Sequence, residues 1–281
     1  MKLIKKILFF IFLLTSLLSP AKSHNDKMLK KVFPTLASTM KIQYSNVVSE
    51  GKKVPVNSGS LQITGYSNIN FIAEEGVCFV SNDQFLDVVA FTYYKNIEVN
   101  NVMALHNVKE TYCHAPVFNI SNCTYLTFDY YIADGSGRYG FHITTNSESI
   151  KIVNTTITNC STSAIYARNS SILMDNVLIT KNTLSSSIFD LDNVKISMKN
   201  SAIKENTINY QEYFQVQNSS LKMTNVFMDI RLSPNNFHGV LFHNNTTAEV
   251  ILKNSTIKIE NGINLYSVVP LTLIDTKISI N

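Results

Sequence analysis

An eight-residue unit, apolar-x-apolar-x-Asn-x-x-apolar, recurs along this chain and limits its folds more than any other feature. It reads Ile150, Ile152, Asn154, Ile157, then Ile172, Met174, Asn176, Ile179, then Ile196, Met198, Asn200, Ile203. Leu221, Met223, Asn225, Met228 follow, then Val250, Leu252, Asn254, Ile257 and Leu271, Leu273, Asp275, Ile278. Weaker copies precede them at Ile97, Val99, Asn101, Ala104 and at Phe118, Ile120, Asn122, Tyr125. The anchors lie 21 to 32 residues apart, about 25 on average. Self-similarity at such a period marks a solenoid.

Alternation at the start of each unit places one set of side chains on one face of a strand. The intervening stretches, such as "TNCSTSA" and "TKNTLSSS", are rich in Ser, Thr and Asn and favour turns over helices. Short strands and polar turns at one period coil more readily than they form hairpins. With turns stacked at the ~4.7–4.9 Å strand spacing, eight would span roughly 40 Å. The stack buries an apolar face that no single turn could bury alone. An Asn at each bend can bond the backbone of a tight turn, and amides can bond along the stack. Asn101, Asn122, Asn154, Asn176, Asn200, Asn225, Asn254 and Asp275 are therefore expected to form an inward ladder. The predicted fold is all-β, a parallel solenoid of about eight to nine coils over residues 60–281.

These residues resemble the right-handed, single-stranded parallel β-helix of pectin-lyase-like proteins, whose coils carry the same unit. A narrower similarity is to adhesin repeats of the polymorphic membrane protein type, which pair G-G-A-I with F-x-x-N. The chain has "TSAI" (Thr162 to Ile165), "FVSN" (Phe79 to Asn82) and "FHNN" (Phe242 to Asn245), with both glycines replaced. The resemblance implies the architecture alone, which hosts lyases, hydrolases, adhesins and tailspikes alike; a secreted or surface-exposed location is expected from the N-terminal segment. The leucine-rich repeat shares the period, yet its L-x-L-x-x-N spacing differs.

Residues 1–23, "MKLIKKILFFIFLLTSLLSPAKS", combine early lysines, an apolar run and small residues, the order of a secretory signal. Cleavage after Ser23 is expected; left uncleaved, the segment would anchor the chain to a membrane. Residues 24–59 read as an N-terminal cap or leader, since Asp26 to Thr39 has the spacing of a short amphipathic helix. The last unit, "LTLIDTKISIN", has no polar cap after it, which leaves room for a capping partner at the C-terminal coil.

The formal charge of +4 misleads, because four of the 24 basic residues (Lys2, Lys5, Lys6, Lys22) lie in the signal segment. The remaining 20 balance 20 acids, which argues against nucleic-acid binding. Four cysteines suit an oxidising compartment. Cys113 and Cys123 are the candidate disulfide, and Cys160 reads as a buried thiol.

The interval from Asn122 to Asn154 holds "DYYIADGSGRYGFH", Asp129 to His142. Extra length in one coil maps to a protruding loop. Tyr130, Tyr131 and Tyr139 could stack on sugar rings while Asp134 and Arg138 bond hydroxyls; the alternative is a turn packed by its own tyrosines. Asp190 and Asp192 share one strand face but read more readily as solvated acids than as a catalytic pair. The histidines are scattered, and neither a metal site nor a cofactor is expected. Of nine Asn-x-Ser/Thr sequons, Asn169, Asn218 and Asn245 are the glycosylation candidates, those at ladder anchors being discounted as inward. The expected function is binding, adhesin-like, to a glycan or a host or cell-surface protein. A polysaccharide lyase or glycoside hydrolase with an atypical site, or a spacer fragment of a larger surface protein, are the alternatives.

Overall fold

The computed structural model describes residues 56–57, 60–64, 67–72, 78–81, 83–100, 103–106, 114–135, 138–231, 233, 238–244, 247–266 and 271–281. The signal segment and the expected capping helix lie outside them, as do Asn101, Cys113 and Asn245.

Successive coils stack in parallel register and give the solenoid three faces, A, B and C. On face A, Phe118 pairs with Phe141, then Ile165, Phe189, Phe214 and Phe242. On face B, Phe128 pairs with Ile152, then Met174, Met198, Met223, Leu252 and Leu273. On face C, Ala133 pairs with Ile157, then Ile179, Ile203, Met228, Ile257 and Ile278. Each row is one position of the repeat, and all but the last members, Leu273 and Ile278, are buried in a shared interior. Alternation on faces B and C is the reason: apolar residues at every second position of a strand share one side. With Phe71 and Val99 ahead of Phe128, face B has nine rungs among the described residues, in line with the eight to nine coils read from the anchors. Outermost rungs carry recognisable repeats without being enclosed: in the last coil, Leu273, Ile274 and Ile280 remain exposed.

Asn122 is corrected. The B–C unit of its coil is Leu126, Phe128, Tyr130, Ala133, in register with Ile150, Ile152, Asn154, Ile157. Phe118 and Ile120 belong to face A, and Asn122 turns the A–B corner. With Tyr130 as anchor the long interval disappears. "DYYIADGSGRYGFH" is therefore no protruding loop; it runs from the end of face B through face C (Ile132–Asp134) to face A (Tyr139–Thr144).

The inward ladder is corrected too. Asn154, Asn176, Asn200, Asn225, Asn254 and Asp275 all have φ between 47° and 54°, or 57° at Asn225. Asn and Asp tolerate this left-handed region better than other residues with a side chain. The reversal turns the anchor outward: Asn176, Asn200, Asn225, Asn254 and Asp275 are exposed and Asn154 half-buried. The following residue points inward instead, often a Ser or Thr such as Thr155, Ser201 or Ser255. Its hydroxyl serves the backbone, as where Ser201 Oγ accepts from Val177 N at 2.9 Å and donates to Lys199 O at 2.6 Å. The outward amides still bond along the stack, Asn176 Nδ2 to Asn154 Oδ1 at 2.7 Å and Asn225 Nδ2 to Asn200 Oδ1 at 2.8 Å.

The inward asparagines are Asn182 and Asn206, at the C–A corner. They stand six positions after Asn176 and Asn200, where Cys160 follows Asn154. Cys160 is buried, as expected. Cys113, the expected partner of Cys123, lies outside the described residues; Cys123 itself is buried, its Sγ 3.3 Å from Ser121 O and 3.4 Å from Phe91 O. Its position after the A–B corner aims it at the core.

Face A opens differently from B and C. Two consecutive residues enter the core in each rung: Val117 and Phe118, Ala164 and Ile165, Ile188 and Phe189, Tyr213 and Phe214. In the coil of Phe141 the first of the pair is Gly140, where a Cβ would come within 2.5 Å of Ile157 Cγ2 and 2.8 Å of Ala164 O. Gly140→Ala is expected to cost about 1–3 kcal/mol by overpacking, read from the urea midpoint. An unchanged midpoint would show that this corner is loosely packed.

Candidate functional site

The residue before the inward pair forms a row that is half-buried at Asp87 and Glu212, only 7% exposed at Tyr139 and fully buried at Ser163 and Ser187, and it runs beside a second, outward row on face A. One contains Asp87, Tyr139 and Glu212; its neighbour contains Asn119, His142, Tyr166, Asp190, Gln215 and His243. At the middle rungs these rows meet in a stack of rings. Tyr139 and His142 are 5.4 Å apart and nearly parallel, Tyr139 and Tyr166 are 4.7 Å apart, and His142 and Tyr166 are 5.0 Å apart.

Two of the three arginines flank this stack. The Arg168 guanidinium lies 4.1 Å from the Tyr166 centroid and donates to Asp190 Oδ1 at 2.7 Å. It also donates to Asp190 O and to Ala167 O, both at 2.9 Å, so its plane is fixed. Arg138 lies 5.1 Å over Tyr139. Guanidinium over an aromatic face is attractive, and such surfaces suit planar, hydroxylated or carboxylated ligands.

A buried-to-surface relay sets the state of His142. Asn119 Nδ2 donates to Asp87 Oδ2 at 2.7 Å, which turns Asn119 Oδ1 toward His142 Nδ1 at 3.0 Å. An amide oxygen only accepts, so His142 carries its proton on Nδ1 and leaves the Nε2 lone pair free. Burial, then the charges of Arg138 and Arg168, lower the His142 pKa to about 4. Burial raises the Asp87 carboxyl above its usual value, against the Asn119 bond. Burial also raises the Tyr139 hydroxyl. At neutral pH the site thus offers a neutral imidazole with a free lone pair, beside Arg138 and the Arg168–Asp190 ion pair.

Of the five residues expected to bind, only Arg138 and Tyr139 are in this cluster. Tyr131 is 2% exposed, its ring 5.2 Å from Phe128 and 5.5 Å from Phe118, so it belongs to the core. Tyr130 is exposed at the B–C corner. Asp134 ends a face C strand and accepts from Asn159 Nδ2 at 2.5 Å. A loop would have grouped all five; three faces of a coil separate them. Asp190 and Asp192 do share face A, but Arg168 holds the first and Asn218 Nδ2 the second at 2.8 Å.

Asn119, His142, Tyr166 and Arg168 were missed. Their signal was the spacing of Asn119, His142, Tyr166 and Asp190, 23 or 24 residues apart. That row is readable only once the face A register is known. Among the candidate glycosylation sites, Asn169 and Asn218 are exposed at the A–B corner. The discount on anchor sequons does not stand, since Asn254 is exposed as well. Among the described residues no group of three or more His, Cys, Asp or Glu is placed to hold a metal ion.

No known protein family matches the sequence, and no curated protein matches it. Among solved structures, the chain is similar to ORF18 of Geobacillus virus E2, at 7% identity and a TM-score of 0.44, covering 87% of this chain and 56% of that one. It is also similar to an alginate lyase from Paenibacillus sp. str. FPU-7, at 11% identity and a TM-score of 0.34, covering 79% of this chain and 89% of that one. The Agl-KA catalytic domain follows at 8% identity and a TM-score of 0.23, covering 79% and 62%. The chain spans little more than half of the viral protein. Likenesses of this size assign no activity, and the fold stands on the strand register.

Proposed function

We propose that this is a secreted or surface-exposed β-helix of the pectin-lyase-like kind that binds carboxylated glycans on face A. The supporting observation is the ring stack of Tyr139, His142 and Tyr166 set between the Arg138 and Arg168 guanidiniums. Tyr139 is largely buried beneath the stack, while the half-buried Tyr166 ring suits the apolar side of a sugar, and the cations that lower the His142 pKa equally favour a uronate carboxylate.

A second reading is favoured by the Asp87–Asn119–His142 relay. A neutral histidine oriented through Nδ1 is suited to take a proton, as a lyase must do at the carbon beside the uronate carboxylate. Isothermal titration of alginate and polygalacturonate into the mature protein tests binding, and ultraviolet absorbance of an unsaturated product tests cleavage. Arg168→Ala and Tyr166→Ala should each weaken binding about tenfold, consistent with loss of one charge-assisted bond or one ring contact. No binding of either polymer by the wild type would sink the proposal. Cleavage abolished by His142→Gln with binding retained would establish the second reading.

A further inference from the structure

A second surface lies around the A–B corner, distinct from the ring stack. It is a groove of about 630 Å³, and its rail is Asn146, Asn169, Asn193 and Asn218, one amide per coil. The amides are partly satisfied along the rail: Asn193 Nδ2 donates to Asn169 Oδ1 at 2.8 Å, and Thr247 Oγ1 donates to Asn218 Oδ1 at 2.7 Å. Ser171 and Ser220 add half-buried hydroxyls, and Lys195, Glu148 and Glu249 are the charged residues of the lining. The lining is therefore polar with little net charge.

The head of this corner departs from the pattern below it. Tyr93 has φ 61° and Tyr125 φ 57°. Bulky residues rarely adopt this region, and each such residue costs of order 1–3 kcal/mol. The neighbouring rungs place smaller residues there: Asn122 stands one rung after Tyr93, while Asn96 and Ser149 stand before and after Tyr125. Tyr125 N donates to Glu148 O at 3.0 Å, which joins it to the groove. Both rings are open to solvent, Tyr93 at 65% and Tyr125 at 59%. They are neither core residues nor good turn formers, so folding alone gives no reason for them.

We propose that this corner is a binding track for one linear, uncharged polysaccharide laid along the solenoid axis, with Tyr93 and Tyr125 as its stacking platform. The axis direction follows from the rail, whose groups recur at each ~4.7–4.9 Å rung and extend over roughly 20 Å from Asn146 to Thr247. A linear chain of sugar rings has a residue repeat close to one rung, so successive hydroxyl pairs meet successive amides. Amides and hydroxyls both donate and accept, as a hydroxylated ligand requires. An extended peptide is disfavoured, because the backbone groups of these coils already bond to the coils above and below. Each rung contributes weakly, and affinity comes from many rungs engaging one chain.

The test is affinity electrophoresis of the mature protein through gels containing hydroxyethyl cellulose, linear galactan or linear mannan. The wild type should be retarded by at least one. The Tyr93→Asn/Tyr125→Asn double variant, which restores the residue type the corner uses elsewhere, should lose at least tenfold in affinity while its thermal midpoint stays level or rises. Asn169→Gly/Asn193→Gly, which keeps the positive φ and removes the amides, should weaken retardation too. Arg168→Ala should leave it unchanged, which separates this track from the face A site. Absence of wild-type retardation in all three gels, equal retardation of the double variant, or loss confined to Arg168→Ala would each overturn the proposal.

Discussion

Phe128→Ala should lower stability by about 3–5 kcal/mol, the range for truncating a buried aromatic residue. Phe128 is fully enclosed, and its ring meets Phe91 at 5.6 Å, Phe118 at 5.3 Å, Tyr131 at 5.2 Å and Phe141 at 5.4 Å. All four contacts except that with Phe118, at an interplanar angle of 62°, are near-perpendicular, between 79° and 81°. Edge-to-face pairs add about 0.5–1.5 kcal/mol each beyond area burial. The rings come from faces A and B of adjacent coils and from the corner leading into face C, so the cavity would open several coils together. Urea unfolding of the variant measures it. A loss below about 1 kcal/mol would mean that this aromatic cluster does not exist as described.

Asn182→Ala should cost about 2–5 kcal/mol, because several buried polar groups lose partners together. Asn182 Oδ1 accepts from Cys160 N at 2.9 Å, while Nδ2 donates to Asn206 Oδ1 at 2.8 Å, Thr180 O at 3.1 Å and Ile157 O at 3.2 Å. It joins the coils of Cys160 and Asn206 across the C–A corner. Asn200→Gly, which keeps the positive φ of 50° and removes the amide, gives the control. Its amide donates to Asp175 Oδ1 at 2.9 Å and accepts from Asn225, but it is exposed, and water can replace those bonds. The two variants should therefore differ by about 1 kcal/mol or more in urea, with Asn182→Ala the weaker protein. An inverted order would return the structural ladder to the repeat anchors.

The contrast between these asparagines explains how the sequence could be read. Faces B and C are legible because alternation survives within each strand: the inward positions of Ile150, Ile152 and Ile157 recur at the same spacing in coil after coil. The anchor Asn was legible as a bend. Its direction was not, because a positive φ reverses the side chain and no residue pattern displays φ. One anchor per coil was sought where three corners exist, so Asn122 of the A–B corner passed for a member of the B–C series. The error made a loop of ordinary strand and corner, and it drew Tyr130, Tyr131 and Asp134 into one imagined site. Face A hid its own site for a related reason. Two adjacent inward residues, as at Gly140 and Phe141, break the alternation that would mark Tyr139 and His142 as ring neighbours on face A.

Nitrogen-detected NMR of the His142 imidazole, with and without alginate oligomer, tests the proposed site most directly. The ring should be neutral and protonated on Nδ1 at pH 7, with a titration midpoint near 4 and an Nε2 resonance that shifts when the oligomer is added. Below pH 6.5 the unfolded chain takes up a proton here that the folded chain refuses, so this group's contribution to stability falls as pH drops from 6.5 toward 4. A ring protonated on Nε2, a midpoint near 6.5, or a resonance that the oligomer leaves unmoved would contradict the site proposed on face A.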